Sequence, residues 1–393
     1  MSRTHRAVLG GCALGLATGW NIANIGAVAQ PLATAYGIGL ATVGLFTTAL
    51  FVTHLALQIP AGKASDRFGP RRVGLLGLVL IAVFSAISLI AHDTALTLAT
   101  RALTGVGTGL SFIAGSAYVR AQGGSPFAQG LFGGVGLAGG GLALAVVPPV
   151  EDWIGWRAPF ATSLCVALAG VLLLAVSPGD GPRHKASAGT RRGSGILRDT
   201  RLYSLAVLYA ASLGLSVVIG NWIVTLLHDQ GGLDKGTAGA IGALTLALGI
   251  VTRPLGGWIL HSRPERMRAA VGASLLAGAA GTLLLAAAKP PALVAVGAAL
   301  VGLAAGIPFA PAFTGAALTR PDAAAAAVGL VNGAASVVAL VGTPLLGLSF
   351  SLPGGGRTGF VVVAGLWLGA FLLLPSAVRL GAASTAATRS PSG

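Results

Sequence analysis

The stretch AGKASDRFGPRR, residues 61–72, sets the reading of the whole chain. Five of its twelve residues are charged: Lys63, Asp66, Arg67, Arg71 and Arg72. Over the full chain the charged share is 9%. The flanks are almost purely apolar, LFVTHLALQIP (50–60) before it and VGLLGLVLIAVF (73–84) after it. A charged segment between two apolar runs of this kind predicts a short loop joining two membrane helices.

Composition extends that reading to the rest of the chain. The mean hydropathy is +0.84 and 54% of the residues are hydrophobic, which indicates many transmembrane helices rather than a soluble domain. Glycine is abundant, 61 in 393 residues, and the chain lacks the polarity that disorder requires. Close helix packing in lipid accounts for it better. Gly11, Gly15 and Gly19 recur every fourth residue, as do Gly105 and Gly109, and Gly302 and Gly306. Small residues at that spacing let helix backbones approach. The net charge of +15 does not point to nucleic acid, because the basic residues gather on no soluble module. Cys12 and Cys165 both fall in apolar spans and form no spaced framework, so they read as small core residues.

Windows of about twenty apolar residues give twelve spans, near 7–30, 40–61, 73–91, 94–118, 126–150, 157–177, 201–227, 236–260, 268–288, 291–318, 324–350 and 358–380. They predict an all-α membrane protein with two six-helix bundles, 1–177 and 201–381. A polar, Gly- and Ser-rich linker, 178–200, joins them on the cytoplasmic side, and a disordered tail follows at 382–393. Arg3, His5 and Arg6 precede the first span, and AVAQ (27–30) resembles a signal-peptidase site. Cleavage is not expected, since the run is long enough to span and its removal would break the repeat described next. With the N-terminus inside, nineteen Lys and Arg fall in cytoplasmic segments and four in outer loops. That bias places both termini in the cytoplasm of a plasma (inner) membrane protein, with its basic loops against anionic lipid.

The two halves repeat. GKASDRFG begins at Gly62 and GWILHSRP at Gly257, each after the second span of its half, and Asp66 corresponds to His261. Pro148 and Pro344 fall late in the fifth span of each half. Related halves with a substrate site between them are a transporter design.

Gly62, Asp66, Arg67, Gly69, Arg71 and Arg72 resemble the signature loop between helices 2 and 3 of the major facilitator superfamily, with Ala64 and Pro70 as departures. RALTGVGTG (101–109) resembles that superfamily's fourth-helix motif. The resemblance implies the major facilitator fold and a secondary transporter. It gives Asp66 and Arg67 the role of a latch that breaks during alternating access, with Gly62 and Gly69 permitting the turn. The alternative is a solvated loop that only enforces topology. Arg71 belongs to the same conformational set, and Arg101 is read as a brace within the bundle.

The acidic residues divide evenly, five in cytoplasmic segments and five in outer loops or at span ends, so no carboxylate lies deep in a span. What remains inside is basic or neutral, and an ionisable group there needs a reason. Arg253, in TRPLGG, lies one turn before Gly257, and its counterpart before Gly62 is Gln58. TRPLGG and GGVGLAGGG (133–141) resemble stretches of the nitrate/nitrite porters of this superfamily, which carry an anion-binding Arg at both symmetric places. Gln58 removes half of that clamp. A small anion or carboxylate is therefore expected, with Arg253 as charge partner; the other reading of Arg253 is a brace reaching the cytoplasmic face. His54, one turn before Gln58, is a carrier for a coupling proton or a neutral imidazole bonded to a hydroxyl. Asn21, Asn24, Asn221, Trp222 and Asn332 are candidates to line the substrate path. The alternative function is efflux of neutral or amphipathic compounds. No catalytic constellation, metal-ligand spacing or phosphate loop is present, so no enzyme activity, cofactor or metal is expected. The expected partners are a small-molecule substrate, a coupling proton and membrane lipids, with no nucleic acid, and the carrier is expected to be a monomer.

Overall fold

The computed structural model describes residues 3–90, 92–180, 195–376 and 378–381. Most of the expected linker, 181–194, and the expected tail, 382–393, lie outside the described residues. Among the described residues all regular structure is helical. The first six expected spans are α1 (Arg3–Ala23), followed by short α2 (Ala29–Tyr36), the pair α3 (Leu40–Ala56) and α4 (Gln58–Phe68), α5 (Pro70–Ile90), α6 (Thr94–Ala121), α7 (Pro126–Ile154) and α8 (Ala158–Ala175). The seventh is α9 (Arg201–Tyr209) and α10 (Ser216–Asp229), joined by a π-helical turn. The rest are α11 (Lys235–Ala247) with α12 (Gly249–Ser262), α13 (Met267–Ala287), α14 (Pro291–Gly306) with α15 (Phe309–Thr319), α16 (Ala324–Leu348) and α17 (Arg357–Leu372). Among the described residues, nine helical stretches are long and apolar enough to cross a membrane, and the bent pair α3–α4 makes a tenth. One of the nine, Pro126–Ala175, contains both α7 and α8, and α17 is a shorter apolar helix. The twelve segments expected from the sequence are thus each helical.

Two boundaries differ from the expectation. The charged stretch 61–72 is not a loop. It is helical through Phe68 and again from Pro70, and the connection is Gly69 alone, at φ 96°. The left-handed region is open to glycine without a Cβ penalty, and Pro70 suits the first position of α5, where no N–H is needed. Charged side chains end the apolar run but do not end the helix. The last span is shorter than expected: α17 stops at Leu372, ahead of Pro375, a residue that cannot continue a helical ladder.

Local chemistry fixes the helix starts. Asp93 accepts from Leu96 N at 2.7 Å to cap α6, and Asp234 accepts from Thr237 N at 3.0 Å to cap α11. The breaks also have causes. Pro60 has no N–H for the carbonyl of Ala56, and α3 and α4 meet there at a bend of 49°. Pro308 likewise leaves the carbonyl of Ala304 without its helical donor, at the break between α14 and α15.

The contacts form two compact units. Unit 1 comprises Met1–Gly124, Val135–Ser194 and Asp322–Gly329; unit 2 comprises Ser125–Gly134, Gly195–Pro321 and Leu330–Gly393. In unit 1 the glycine pair of α6 faces α3: a Cβ on Gly105 would meet Leu50 and Thr53, and one on Gly109 would meet His54. In unit 2 the pair on α14 meets α11 and α12 in the same way, Gly302 against Leu244 and Leu248, and Gly306 against Thr252. The every-fourth-residue glycines are therefore helix contacts.

The repeated glycines Gly62 and Gly257 play matching parts. A Cβ on Gly62 would collide with Cα of Ala326 at the start of α16, within unit 1. A Cβ on Gly257 would lie 2.8 Å from Cα of Phe127 at the start of α7, within unit 2. Replacing Gly62 by leucine is expected to cost about 1–3 kcal/mol by overpacking, read as a lower melting temperature of the detergent-purified protein. Gly44→Leu, at a position with nothing within 4 Å, should leave it unchanged or raise it.

Candidate functional site

Each of the ten carboxylates lies within the first or last turn of a helix or in a connection, and none in the middle of a span. Several of the acids sit against helix N-termini. Asp66 on α4 accepts from Ala325 N at 3.0 Å and from Ala326 N at 3.1 Å, the opening amides of α16. Asp180 accepts from Arg71 N at 2.9 Å, at the start of α5. Both contacts lie in unit 1, where the positive end of the helix dipole meets a negative side chain. Arg120 on α6 is within Coulombic reach of Asp66.

Two basic groups do the converse. Arg71 donates to Leu174 O at 3.1 Å and to Ala175 O at 2.7 Å, the last carbonyls of α8. Arg101, fully buried, donates through Nη2 to Asn21 O at 2.7 Å and through Nε to Phe46 O at 3.4 Å. Asn21 is in the last turn of α1, so its carbonyl has no helical donor of its own. Arg101 therefore ties α6 to the end of α1 and to α3. Arg67 is placed differently: its guanidinium lies over the ring of its neighbour Phe68, 5.1 Å from the centroid.

Arg253 breaks this pattern. It sits on α12 with 2% of its surface exposed. Nη1 donates to Gly133 O at 2.9 Å, a carbonyl inside α7 rather than at its end. Nη2 reaches the Tyr209 hydroxyl at 3.4 Å, a long hydrogen bond. One face of the guanidinium lies over Phe309, 4.5 Å from the ring centroid, a cation–π contact. Nε has no partner. No carboxylate pairs with Arg253 or with Arg101 among the described residues. Tyr209 and Phe309 form an aromatic group with Phe313: Tyr209–Phe313 centroids are 5.1 Å apart and Phe309–Phe313 centroids 4.4 Å. All of these residues belong to unit 2.

Helix discontinuities place this group. Tyr209 is the last residue before the π turn, Phe309 the first of α15 after the break, and Arg253 follows the start of α12 at Gly249. Glycine lets the strands of chain come together: a Cβ on Gly133 would run into the Phe309 ring, and one on Gly130 into the Arg253 carbonyl. Tyr209 and Phe309 are not among the sequence candidates, and Gly133 enters only as the first residue of the glycine-rich stretch 133–141. Tyr209 lies in an apolar run like any buried tyrosine, and the glycine of a Gly-rich helix gives no sign that its carbonyl is used.

The remaining sequence candidates fall into separate groups. In unit 1, His54 Nδ1 is 3.0 Å from Thr108 Oγ1 on α6, and Gln58 Nε2 donates to His54 O at 2.9 Å across the bend. His54 thus has the hydroxyl partner of the alternative reading. Asn21 Nδ2 donates to Ala17 O at 2.9 Å, and its Oδ1 accepts from Ser163 at 2.7 Å. Asn24 donates to Pro159 O at 2.8 Å and keeps a buried, unpartnered Oδ1. In unit 2, Asn221 donates to Thr343 Oγ1 at 3.2 Å and Trp222 to Thr343 O at 2.8 Å, binding α10 to α16. Asn332 is buried on α16, its carbonyl accepting from Ser336 at 3.1 Å.

The described residues form long apolar helical segments with arginines sunk among them and carboxylates at helix ends and in connections, the make-up of a multi-pass membrane protein. The chain belongs to the Major Facilitator Superfamily, whose sequence model matches residues 9–342. It is a transporter of small molecules, not an enzyme. A probable sulfoacetate transporter of Cupriavidus necator is 26% identical over 287 residues, 66% of each chain. A probable nitrate/nitrite transporter of Mycobacterium tuberculosis is 28% identical over 327 residues, 77% of this chain and 78% of that one. The resemblance to the nitrate/nitrite branch is therefore a real sequence relationship. Among solved structures, the human organic anion transporter MFSD10 superposes with a TM-score of 0.74 at 19% identity, covering 95% of this chain and 100% of that one. That likeness carries the major facilitator fold.

Asp66→Ala is expected to uncap α16 at a cost of about 1 kcal/mol, read as amide exchange at Ala325 and Ala326 about fivefold faster. Arg101→Met should lower the melting temperature, because the Asn21 and Phe46 carbonyls lose their donor. It should leave the substrate concentration for half-maximal uptake unchanged, since Arg101 acts as a brace.

Proposed function

We propose that the chain is a secondary carrier of a small anion, most simply a monocarboxylate or a comparable oxyanion, working by alternating access. The observation that carries this reading is Arg253. A guanidinium in a membrane interior is costly unless paired. Asp66, Asp180, Arg71 and Arg101 are each met by a helix end of the right sign, while Arg253 has a mid-helix carbonyl, a long contact to a hydroxyl and a buried Nε without a partner. Its Nε is left without a partner and its Nη2 contact to Tyr209 is long, and an Nε–Nη2 edge matches a planar oxyanion bidentately. Tyr209 stands beside it as a further donor. The relatives named for sulfoacetate and nitrate/nitrite, and the organic anion transporter that shares the fold, support the same class.

The rest of the assignment follows the sequence. The carrier is a monomer in the plasma membrane, with both termini and the 178–200 linker cytoplasmic, two six-helix bundles at 1–177 and 201–381, and basic loops facing anionic lipid. Asp66 on the α16 terminus is the latch of the cycle, and His54 is the imidazole held by the Thr108 hydroxyl. Asn21, Asn24, Asn221, Trp222 and Asn332 shape the substrate path.

Uptake of labelled nitrate, sulfoacetate and benzoate, beside a neutral lipophilic dye, into proteoliposomes tests this. Removing a charge from a buried hydrogen-bonded pair costs about 2–5 kcal/mol, so Arg253→Ala should reduce anion uptake by about thirtyfold or more. Arg253→Lys should recover only part, because the fork is lost. Equal anion uptake by Arg253→Ala would sink the assignment, and transport of the dye alone would make the chain a drug-type exporter.

A further inference from the structure

The seventh span is not a regular helix. Residues Ala210–Leu215, directly after Tyr209, form a π-helical turn. A π turn carries one residue more than the α-helix would and is often found where function needs it. Contacts within unit 2 hold this one. Ser212 Oγ donates to Ala304 O at 2.6 Å, the carbonyl that Pro308 deprives of its helical donor. Ser216 Oγ donates to Ser212 O at 2.7 Å. A Cβ on Gly214 would lie 2.8 Å from Val338 and 3.0 Å from Ala335 O, so the turn is pressed against α16.

The two flanks of the turn have different anchors. The upstream flank ends in Tyr209, which meets Arg253, Phe309 and Phe313. The downstream flank is bound to α16 by Asn221 and Trp222 through Thr343. Absorbing the extra residue into an α-helix requires one flank to turn by about 100° and shift by about 1.5 Å against the other. With the downstream flank bound, the turn falls on Tyr209, and its hydroxyl leaves the open edge of Arg253.

We propose that the π turn 210–215 is the hinge that sets the Tyr209 hydroxyl on Arg253 and withdraws it during transport, and that Ser212, through Ala304 O, is the positioning residue that holds the set state. This rests on the reading of Arg253 as the anion site. Deleting Ala211 removes the extra residue while both flanks keep their register. The deletion chain should hold its half-saturation for nitrate and sulfoacetate within about threefold and lose turnover by about tenfold or more. Ser212→Ala, which breaks one hydrogen bond, should raise half-saturation about three- to tenfold and speed amide exchange across 210–216 by a similar factor, and Ser212→Thr should restore both.

A deletion chain with wild-type turnover overturns the hinge. Should that chain fail to reach the membrane, the Ser212 pair decides: unchanged exchange across 210–216 in Ser212→Ala, or no recovery in Ser212→Thr, overturns it. Arg253→Ala in the same assay separates the two ideas. Anion uptake lost there but normal in the deletion chain removes the hinge alone, whereas normal uptake in Arg253→Ala removes the site reading and the hinge with it.

Discussion

Charge in this molecule is met by helix ends. In hydrocarbon there is no water to solvate an ion or a stray carbonyl, and each polar group must find its partner within the protein. Helix termini supply unsatisfied amides at one end and unsatisfied carbonyls at the other. The chain uses both. Asp66, Asp93, Asp180 and Asp234 each accept from amides opening a helix, and Arg71 and Arg101 donate to carbonyls closing one. Such pairs add no second ionised side chain, so the interior stays poor in charge. They also tie distant parts of the sequence: Arg101 binds α6 to the end of α1, and Asp66 binds α4 to the start of α16. The same economy governs the broken spans, where Ser212 takes over the carbonyl that Pro308 leaves open.

Against that background Arg253 is informative because it is different. Arg101 and Arg253 are equally buried. Arg101 is answered by the terminus of α1, and its position is explained by packing. Arg253 meets only the middle of α7, a tyrosine hydroxyl at long range and an aromatic face. A phenyl ring face attracts a cation but provides no acceptor for its N–H groups. The incomplete shell is what distinguishes Arg253 from Arg101, and burial alone would not have told them apart.

Much of this was legible in the sequence, and the limits have physical reasons. The spans, the repeat and the family signature at 62–72 are long-range regularities of hydropathy and spacing, and they survive uncertainty at single residues. The two boundary errors came from equating charge with a loop at 61–68 and from running the last span past Pro375; a helix continues into the headgroup region wherever nothing breaks its ladder. Arg253 was visible because a charge in an apolar run is rare. Tyr209, Phe309, Gly133 and the π turn were not, because their roles depend on which faces of separate helices meet, and neighbouring letters do not encode that. His54 shows the middle case: sequence posed the choice between a proton site and a bonded imidazole, and the Thr108 partner came only with the packing.

The repeat itself separates backbone from chemistry. Gly62 and Gly257 each receive the start of a helix from elsewhere in the chain at close range, α16 in unit 1 and α7 in unit 2. At the first, Asp66 caps the arriving helix. At the second, the corresponding His261 is exposed, and α7 is capped locally, Ser125 Oγ accepting from Ala128 N at 3.3 Å. The charge is thus on one copy only. The same holds one turn earlier, in the opposite sense: Arg253 in unit 2 corresponds to Gln58 in unit 1. Steric demands have kept the two copies alike, because a Cβ at either glycine would collide with main chain. By contrast, charge differs between the copies at two positions, Asp66 against His261 and Gln58 against Arg253.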